Sequence, residues 1–356
     1  MKFIIAAGGT GGHITPGIAI ANRLKELGHE IIFVGTDGGM EVDLVPKAGY
    51  PLKFIHASGL HRSLSLQNIR TMKELFRGIS DVKKLIDEEK PNMVIGTGGY
   101  VTAPAMIAAL RKKVPTFIHE SNALPGKTTI WLSSKVDTIA LGFESAKERL
   151  PKAKHAVYTG NPTKMQGRLS YDELRNSMGI TKPLVLVFGG SQGAKKINET
   201  MIELINDSDD IDYQVIYATG PKNYDAIMEK ITNHNENIKV EKYIYNMEEV
   251  MSASDIAVCR SGALTCTELG IIGIPSILIP LPTAAENHQF YNAKTIADVG
   301  GGVIIEEKDL TKEMLKQTIS DILHDKEKYA QMKEKALREE NVGAIDKIWD
   351  EIQKLI

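Results

Sequence analysis

The chain has 356 residues, 42% hydrophobic and 25% charged, the composition of a soluble globular protein of two or three domains, which excludes wholesale disorder. Its two cysteines, Cys259 and Cys266, have no CxxC partner, which excludes a disulfide framework or a four-cysteine zinc site and suits a reducing compartment. The net charge of −2 is divided unevenly: residues 1–160 carry 21 basic and 14 acidic side chains, a net +7, and the remainder 22 and 31, a net −9, so the first half invites an anionic partner.

Short apolar runs alternate with helix-length amphipathic segments, the pattern of parallel β/α structure. The opening MKFIIAAGG is too short for a signal sequence, and the most apolar stretch, 269–285, is broken by Pro275, Pro280 and Pro282, so no bilayer span is expected. In the first half, strands are predicted at 3–7, 30–34, 52–55, 93–96, 115–118 and 138–141, with helices at 16–27, 66–89 and 101–112. Gly and Pro punctuate a linker near 158–168. Strands resume at 184–188, 213–218, 238–243, 256–259 and 276–279, and after residue 310 the pattern is entirely helical (311–323, 326–339, 342–355). The fold class is α/β, with two Rossmann-like, doubly wound parallel-sheet domains at 1–162 and 163–340 and a terminal helix at 341–356.

Three strands run into glycines: FIIAAGGTGGH (3–13), MVIGTGGYV (93–101) and LVLVFGGSQGA (184–194). Such a turn brings backbone N–H groups and a helix N-terminus close to an anion, because glycine leaves the approach open. One loop is weak evidence; three favour phosphates at more than one point. A dinucleotide GxGxxG beginning at Gly9 lacks its third glycine, since Ile14 stands there, although Asp37 closes the second strand and keeps NAD open as an alternative. ALPGKTT (123–129) imitates a P-loop but has Ser121 where a glycine is needed. Asp207-Ser208-Asp209 lies in an acidic stretch and reads as a solvated turn rather than a metal site.

His13 follows the first loop, ahead of a helix signalled by Thr15 and Pro16, at the sheet edge where α/β folds bind ligands. His119-Glu120 ends another strand, with Ser121 or Asn122 as candidate helix N-caps. In CRSGALTCTELG (259–270) a helix starts near Ser261-Gly262 and puts Leu264 and Glu268 on one face, where a carboxylate can accept both hydroxyls of a ribose. ENHQFYNA (286–293) adds amides and an imidazole. The segment 60–86 is amphipathic and basic, with Arg62, Arg70, Lys73, Arg77, Lys83 and Lys84. It reads either as a helix packed on the sheet with a solvated face or as a contact with anionic lipid.

GGTGGHITPG (8–17), GTGGYVTAP (96–104), HESNALPG (119–126), GNP (160–162), GGSQGAKKIN (189–198), CRSGALTCTE (259–268) and NHQFYNA (287–293) come in one order over residues 3–300. In this the chain resembles the bacterial peptidoglycan glycosyltransferases that convert lipid I to lipid II. The resemblance implies the GT-B architecture, two Rossmann-like domains facing a cleft, with the terminal helix crossing back to the first. It implies inverting transfer of GlcNAc from UDP-GlcNAc to the C4 hydroxyl of MurNAc in undecaprenyl-diphospho-MurNAc-pentapeptide. No metal, cofactor or nucleic acid is expected, and the enzyme would sit peripherally on the anionic cytoplasmic face of the membrane, through the region of 60–86.

Carried over by motif, His13 is the candidate general base. Ser191 and its loop would meet the UDP diphosphate, and the backbone of Ile244 the uracil. Glu268 would take the ribose, with Ala263, Leu264 and Thr265 lining that pocket. Gln289 would bind the GlcNAc beside His288, and Thr10, Gly11, Gly12 and Asn122 would close on the same sugar. Gly9, Gly98, Gly99 and Tyr100 would cradle the acceptor diphosphate. Lys164 stands where the resemblance leads one to expect Arg; it keeps a charge near the donor phosphates without the bidentate fork. The alternatives are a NAD- or nucleotide-sugar-binding module and a GT-B transferase with another lipid acceptor.

Overall fold

The structure, a computed structural model, describes residues 1–59 and 66–356, and of 66–70 the backbone alone. The chain divides into two compact units, Met1–Thr163 with Gly343–Ile356, and Lys164–Val342.

The first unit is built on seven parallel strands: β1 (Lys2–Ala6), β2 (Glu30–Gly35), β3 (Leu52–Phe54), β4 (Met93–Gly96), β5 (Thr116–Glu120), β6 (Thr138–Leu141) and β7 (Ala156–Tyr158). Their order is β3-β2-β1-β4-β5-β6-β7. The helices are α1 (Gly11–Glu26), α2 (Glu41–Lys47), α3 (Leu66–Glu89), α4 (Thr102–Lys112) and α5 (Lys127–Leu132). Phe3, Ile4, Ile5 and Ala6 of β1 are all fully buried, which is why the central strand reads as a continuous apolar run instead of an alternating one. Strand order reverses between β1 and β4, which pair from Phe3↔Met93 to Ala6↔Gly96. The first two glycine loops therefore leave adjacent strand ends at the switch point, the position where open α/β sheets bind ligands.

The second unit has six parallel strands: β8 (Leu184–Phe188), β9 (Gln214–Ala218), β10 (Ile238–Glu241), β11 (Ile256–Cys259), β12 (Ser276–Leu278) and β13 (Gly302–Ile304), ordered β10-β9-β8-β11-β12-β13. Around them lie α6 (Tyr171–Met178), α7 (Lys195–Asn206), α8 (Tyr224–Met228), α9 (Met247–Ala253), α10 (Ala263–Ile272), α11 (His288–Ala297), α12 (Lys312–Leu323) and α13 (Lys326–Ala336). Its switch point falls between β8 and β11, so GGSQG and RSGA leave neighbouring strand ends. The last helix, α14 (Ala344–Gln353), belongs to the first unit. Its buried Ala344, Ile348 and Ile352 recur every four residues, and the two isoleucines join the core that holds Phe3, Ile5 and Phe33. Arg23–Asp346 (2.7 Å) and His155–Glu351 (2.9 Å) pin its polar flanks.

Two expectations change. β7 and β13 were not anticipated, because each is a three-residue edge strand, only partly buried, too short to carry a period. The first helix begins at Gly11 rather than near Pro16. The Thr10 carbonyl accepts from His13 (3.0 Å) and Ile14 (3.2 Å), and Pro16 sits inside the helix, where it forgoes only the bond to the Gly12 carbonyl.

Candidate active site

At the first switch point the two glycine loops approach more closely than side chains would permit. A β-carbon on Gly99 would lie 2.3 Å from the Gly8 carbonyl oxygen, and one on Gly98 would lie 2.5 Å from His13 Cδ2. Both glycines have positive φ, +111° at Gly98 and +77° at Gly99, so the turn and the close approach need the same residue. His13 is the third residue of α1, not a loop residue ahead of it. Its Nδ1 lies 3.3 Å from the Gly8 carbonyl. Thr10 Oγ1 lies 3.4 Å from the same nitrogen; a proton on Nδ1 satisfies the carbonyl, which only accepts, and in that tautomer the lone pair is on Nε2. Thr97 Oγ1 donates to the His13 carbonyl (2.8 Å) and ties the second loop to the first turn of α1.

Beneath the loops lies a residue that the sequence reading missed. Glu41, the first residue of α2, is fully buried. It accepts from the Gly9 N–H (2.9 Å), the Thr36 N–H (2.9 Å) and the Thr36 hydroxyl (2.9 Å). Burial alone would raise its carboxyl pKa, but these bonds outweigh it and hold the group below its ordinary value. Thr36 Oγ1 in turn lies 3.1 Å from the Tyr100 hydroxyl. The N–H of Gly98 donates to Thr102 Oγ1 (3.1 Å). Of the residues expected to cradle the acceptor diphosphate, Gly9 and Gly98 thus already use their N–H groups inside the protein.

His119 and Glu120 form a second polar cluster at the end of β5. The His119 side chain is fully buried, and its Nε2 meets the Gly160 carbonyl at 3.2 Å. Burial lowers its pKa to about 4, the carbonyl opposing this in part. Glu120 organises the following loop, accepting from the N–H of Asn122 (3.1 Å), the N–H of Gly126 (3.0 Å) and the Thr129 hydroxyl (2.6 Å). Neither Ser121 nor Asn122 caps a helix; Gly126 is the N-cap of α5, and Asn122 is held in the loop by Glu120. Asn161 of GNP donates to the Ser121 carbonyl (3.1 Å), so GNP and HESN form one buried corner.

In the second unit Ser191 and Gln192 are exposed at the tip of the loop after β8. The loop is held from below: Asn223 donates to the Gln192 carbonyl (3.0 Å), while Asn198, itself accepting from the Tyr217 hydroxyl (2.8 Å), donates to the Thr219 carbonyl (3.0 Å). A β-carbon on Gly193 would lie 2.0 Å from that same carbonyl. On the neighbouring strand end, Gly262 caps α10. Ala263, Leu264, Thr265 and Glu268 are half-buried, whereas Cys266, Thr267 and Leu269 face the core. Leu264 and Glu268 thus share the partly open face. Ser261 Oγ donates to the Gln289 carbonyl (2.8 Å), and Gln289 Oε1 accepts from the Leu281 N–H (2.9 Å). His288 Nδ1 lies 2.8 Å from the Ala285 carbonyl at the start of α11. Arg260 is buried, donates to the carbonyls of Ile279 (3.1 Å) and Pro280 (3.2 Å), and pairs with Glu307. These bonds fix the loop from β12 to α11 against α10. Ile244 is buried between β10 and α9, flanked by the exposed Tyr243 and Tyr245. Lys164, exposed, opens the second unit.

Asp207 pairs with Lys312 (2.9 Å) and Asp209 accepts from Asn233 (2.8 Å), as expected of a surface turn. Among the described residues no cluster of three His, Cys, Asp or Glu side chains could hold a metal, and no helix is long and apolar enough to cross a membrane. Of the basic segment, residues 60–65 with Arg62, and the Arg70 side chain, lie outside the described residues. In the rest of α3, Ile79, Val82 and Ile86 are buried, while Met72 (48%) and Phe76 (59%) are exposed.

Two doubly wound sheets, each with a glycine loop at its switch point, define an α/β protein of the GT-B class. Residues 3–141 match the glycosyltransferase family 28 N-terminal domain, and residues 184–348 its C-terminal domain. The chain is 42% identical over its full length to the UDP-N-acetylglucosamine–N-acetylmuramyl-(pentapeptide) pyrophosphoryl-undecaprenol N-acetylglucosamine transferase of Acetivibrio thermocellus, covering 98% of it. It is 41% identical to the transferase of the same name from Caldanaerobacter subterraneus, over all of both chains. The crystal structure of Acinetobacter baumannii MurG superposes with a TM-score of 0.81 at 27% identity, covering 99% of each chain. The chain belongs to glycosyltransferase family 28, and within it to the MurG enzymes. It is a glycosyltransferase, and the NAD-binding alternative falls with that membership.

Proposed function

We propose that this enzyme moves GlcNAc from UDP-GlcNAc to the C4 hydroxyl of MurNAc in lipid I, giving lipid II with inversion at the anomeric carbon. The observation that carries this is the full-length match to transferases named for that reaction, at 42% identity. The first unit takes the acceptor and the second the donor. His13 Nε2 removes the proton of the C4 hydroxyl as its oxygen attacks C1 of GlcNAc, and the bond from C1 to the UDP β-phosphate oxygen breaks. The departing charge is met by N–H groups around Ser191 and by the N-terminus of α7, with Lys164 as a point charge. Glu268 accepts the ribose hydroxyls, Ile244 reads the uracil, and Ala263, Leu264 and Thr265 wall the pocket. Gln289 and His288 hold the GlcNAc, with Thr10, Gly11, Gly12 and Asn122 as further contacts to that sugar. With Gly9 and Gly98 hydrogen-bonded internally, the acceptor diphosphate falls to Gly99 and to the N–H groups opening α1.

The enzyme acts peripherally on the cytoplasmic membrane face. This reading is supported by the net +7 of residues 1–160 and by exposed Met72, Phe76 and Trp131 near Lys73, Arg77 and Lys135 in sequence. Incubation with lipid I in anionic vesicles and labelled UDP-GlcNAc is expected to yield labelled lipid II, with the protein pelleting on anionic but not neutral vesicles. Transfer to another lipid diphosphate but not to lipid I overturns the acceptor assignment, and equal pelleting on both vesicles overturns the anionic contact. Replacing Glu268 by alanine is expected to weaken UDP binding by roughly 1–3 kcal/mol, the worth of a charged hydrogen bond. A calorimetric titration showing unaltered UDP affinity removes Glu268 from the ribose.

A further inference from the structure

Glu41 is enclosed to an unusual degree. A β-carbon on Gly39 would lie 2.0 Å from its Oε2, one on Gly35 2.6 Å from its Cγ, and one on Gly8 2.8 Å from its Oε1. Three glycines, one closing β2 and two in the loops after β1 and β2, thus make room for one buried carboxylate. A loop staple could be a neutral amide or a hydroxyl; the bonds made here call for an ion. Both Glu41 oxygens accept and neither donates.

The consequence runs outward through Thr36. A threonine hydroxyl has one proton, and that of Thr36 goes to Glu41 Oε1. Thr36 Oγ1 can therefore only accept at its 3.1 Å contact with Tyr100, and the phenolic proton must point inward to Thr36. The lone pairs of the half-buried Tyr100 hydroxyl then face away from the chain. A hydroxyl in this state accepts a hydrogen bond and cannot give one to a phosphate oxygen. The Tyr100 ring packs against Gly9, where a β-carbon would come within 3.2 Å of it, so the same carboxylate that holds the Gly9 N–H also fixes the surface under the ring.

We propose that Glu41 is a positioning residue that, through Thr36, presents the Tyr100 hydroxyl as a hydrogen-bond acceptor to a sugar hydroxyl or amide N–H of the acceptor substrate. Tyr100 therefore reads a donor group on the acceptor and not its diphosphate. This rests on the reading of the enzyme as a lipid I transferase.

Glu41→Gln keeps the shape and makes one limb of the side chain a donor. Oε1 accepts both Thr36 bonds and Oε2 the Gly9 N–H, so the amide nitrogen faces a donor in either place; standing at Oε1 it donates to Thr36 Oγ1, frees the Thr36 proton for Tyr100 and turns the phenolic O–H outward. The expected result is a KM for lipid I raised about ten-fold, the loss of one hydrogen bond, with the KM for UDP-GlcNAc within about two-fold of wild type. In a Tyr100→Phe background the same substitution adds nothing. A lowered KM for lipid I in Glu41→Gln overturns the proposal, because Tyr100 would then be donating to phosphate. An equal effect in both backgrounds also overturns it, because Glu41 would then act on the loops and not through Tyr100. Where Glu41→Gln does not fold, or frees the Gly9 N–H alone, Thr36→Val breaks the same chain with the carboxylate intact and carries the same expectations. If the wild type makes no lipid II, the lipid I reading fails, and amide exchange decides the chain itself. The Thr36 N–H or the Gly9 N–H, whichever faces the amide nitrogen, is expected to exchange at least about ten-fold faster in Glu41→Gln while β1 stays protected, and unchanged protection of both overturns the proposal.

Discussion

Replacing His13 by alanine is expected to lower turnover with lipid I and UDP-GlcNAc by about 10²–10⁴-fold, the usual worth of a general base, or about 3–5 kcal/mol of barrier. UDP affinity is expected to stay within about two-fold. The size of the effect follows from how the ring is held. Its Nδ1 faces the Gly8 carbonyl at 3.3 Å and Thr10 Oγ1 at 3.4 Å, and with the proton there Nε2 is the basic atom. The ring also lies on a floor of glycine: a β-carbon on Gly98 would stand 2.5 Å from Cδ2, so the surface under the imidazole exists only because residue 98 has no side chain. Gly98→Ala is accordingly a second route to the same defect, reaching the ring without removing it, and its φ of +111° adds strain of its own. Stopped-flow or steady-state turnover beside a UDP titration separates the roles. Turnover unchanged in His13→Ala removes His13 as the base, whereas lost UDP affinity would make it a donor contact.

What could be read in the sequence followed burial. The strands 93–96, 138–141, 184–188 and 256–259 appear at those bounds because each is buried on both faces of a parallel sheet and stands out as an unbroken apolar run. β7 and β13, partly exposed at sheet edges, carry no such run. The start of α1 was hidden because Gly11 and Gly12 are poor helix formers and Pro16 imitates a first helical residue. Here the second glycine loop and Thr97 hold the first turn in place over that propensity. The glycine loops and His13 were legible because strand, turn and helix are local. Glu41 was not. In GGMEVDLVPK it looks like an acidic residue in the first turn of a surface helix, and only the β2-β1-β4 order brings it under Gly9, 32 residues away. Glu120 stood out at the end of its strand, but its role did not, since its work is to fold a loop whose bonds no period records.

The stability of the first unit is expected to fall as pH drops from 6.5 to about 4, by up to about 3 kcal/mol, on account of His119 alone. In the native state this histidine is fully buried and neutral, its pKa lowered to about 4 by burial against an ordinary 6.5, with the Gly160 carbonyl restoring only part of the difference. Above pH 6.5 neither folded nor unfolded chain protonates it, and its contribution is fully present. Below 6.5 the unfolded chain binds a proton that the folded chain refuses, so stability is lost at about 1.4 kcal/mol per pH unit until the folded pKa is reached. Both tryptophans of the chain, Trp131 and Trp349, belong to this unit, so indole fluorescence in urea follows its unfolding without a signal from the other. His29 is also shifted down, through burial and then the nearby N-terminal charge, and Glu41, held below its ordinary value by its hydrogen bonds, loses its contribution as pH falls through the acid range. A comparison of wild type with His119→Asn removes those shared contributions. The asparagine variant is expected to be less stable at pH 7.5, having lost packing and the bond to Gly160, yet to lose less stability between pH 7.5 and 5 than the wild type. Parallel pH profiles for the two proteins would mean that His119 takes its proton in the folded state as readily as in the unfolded one.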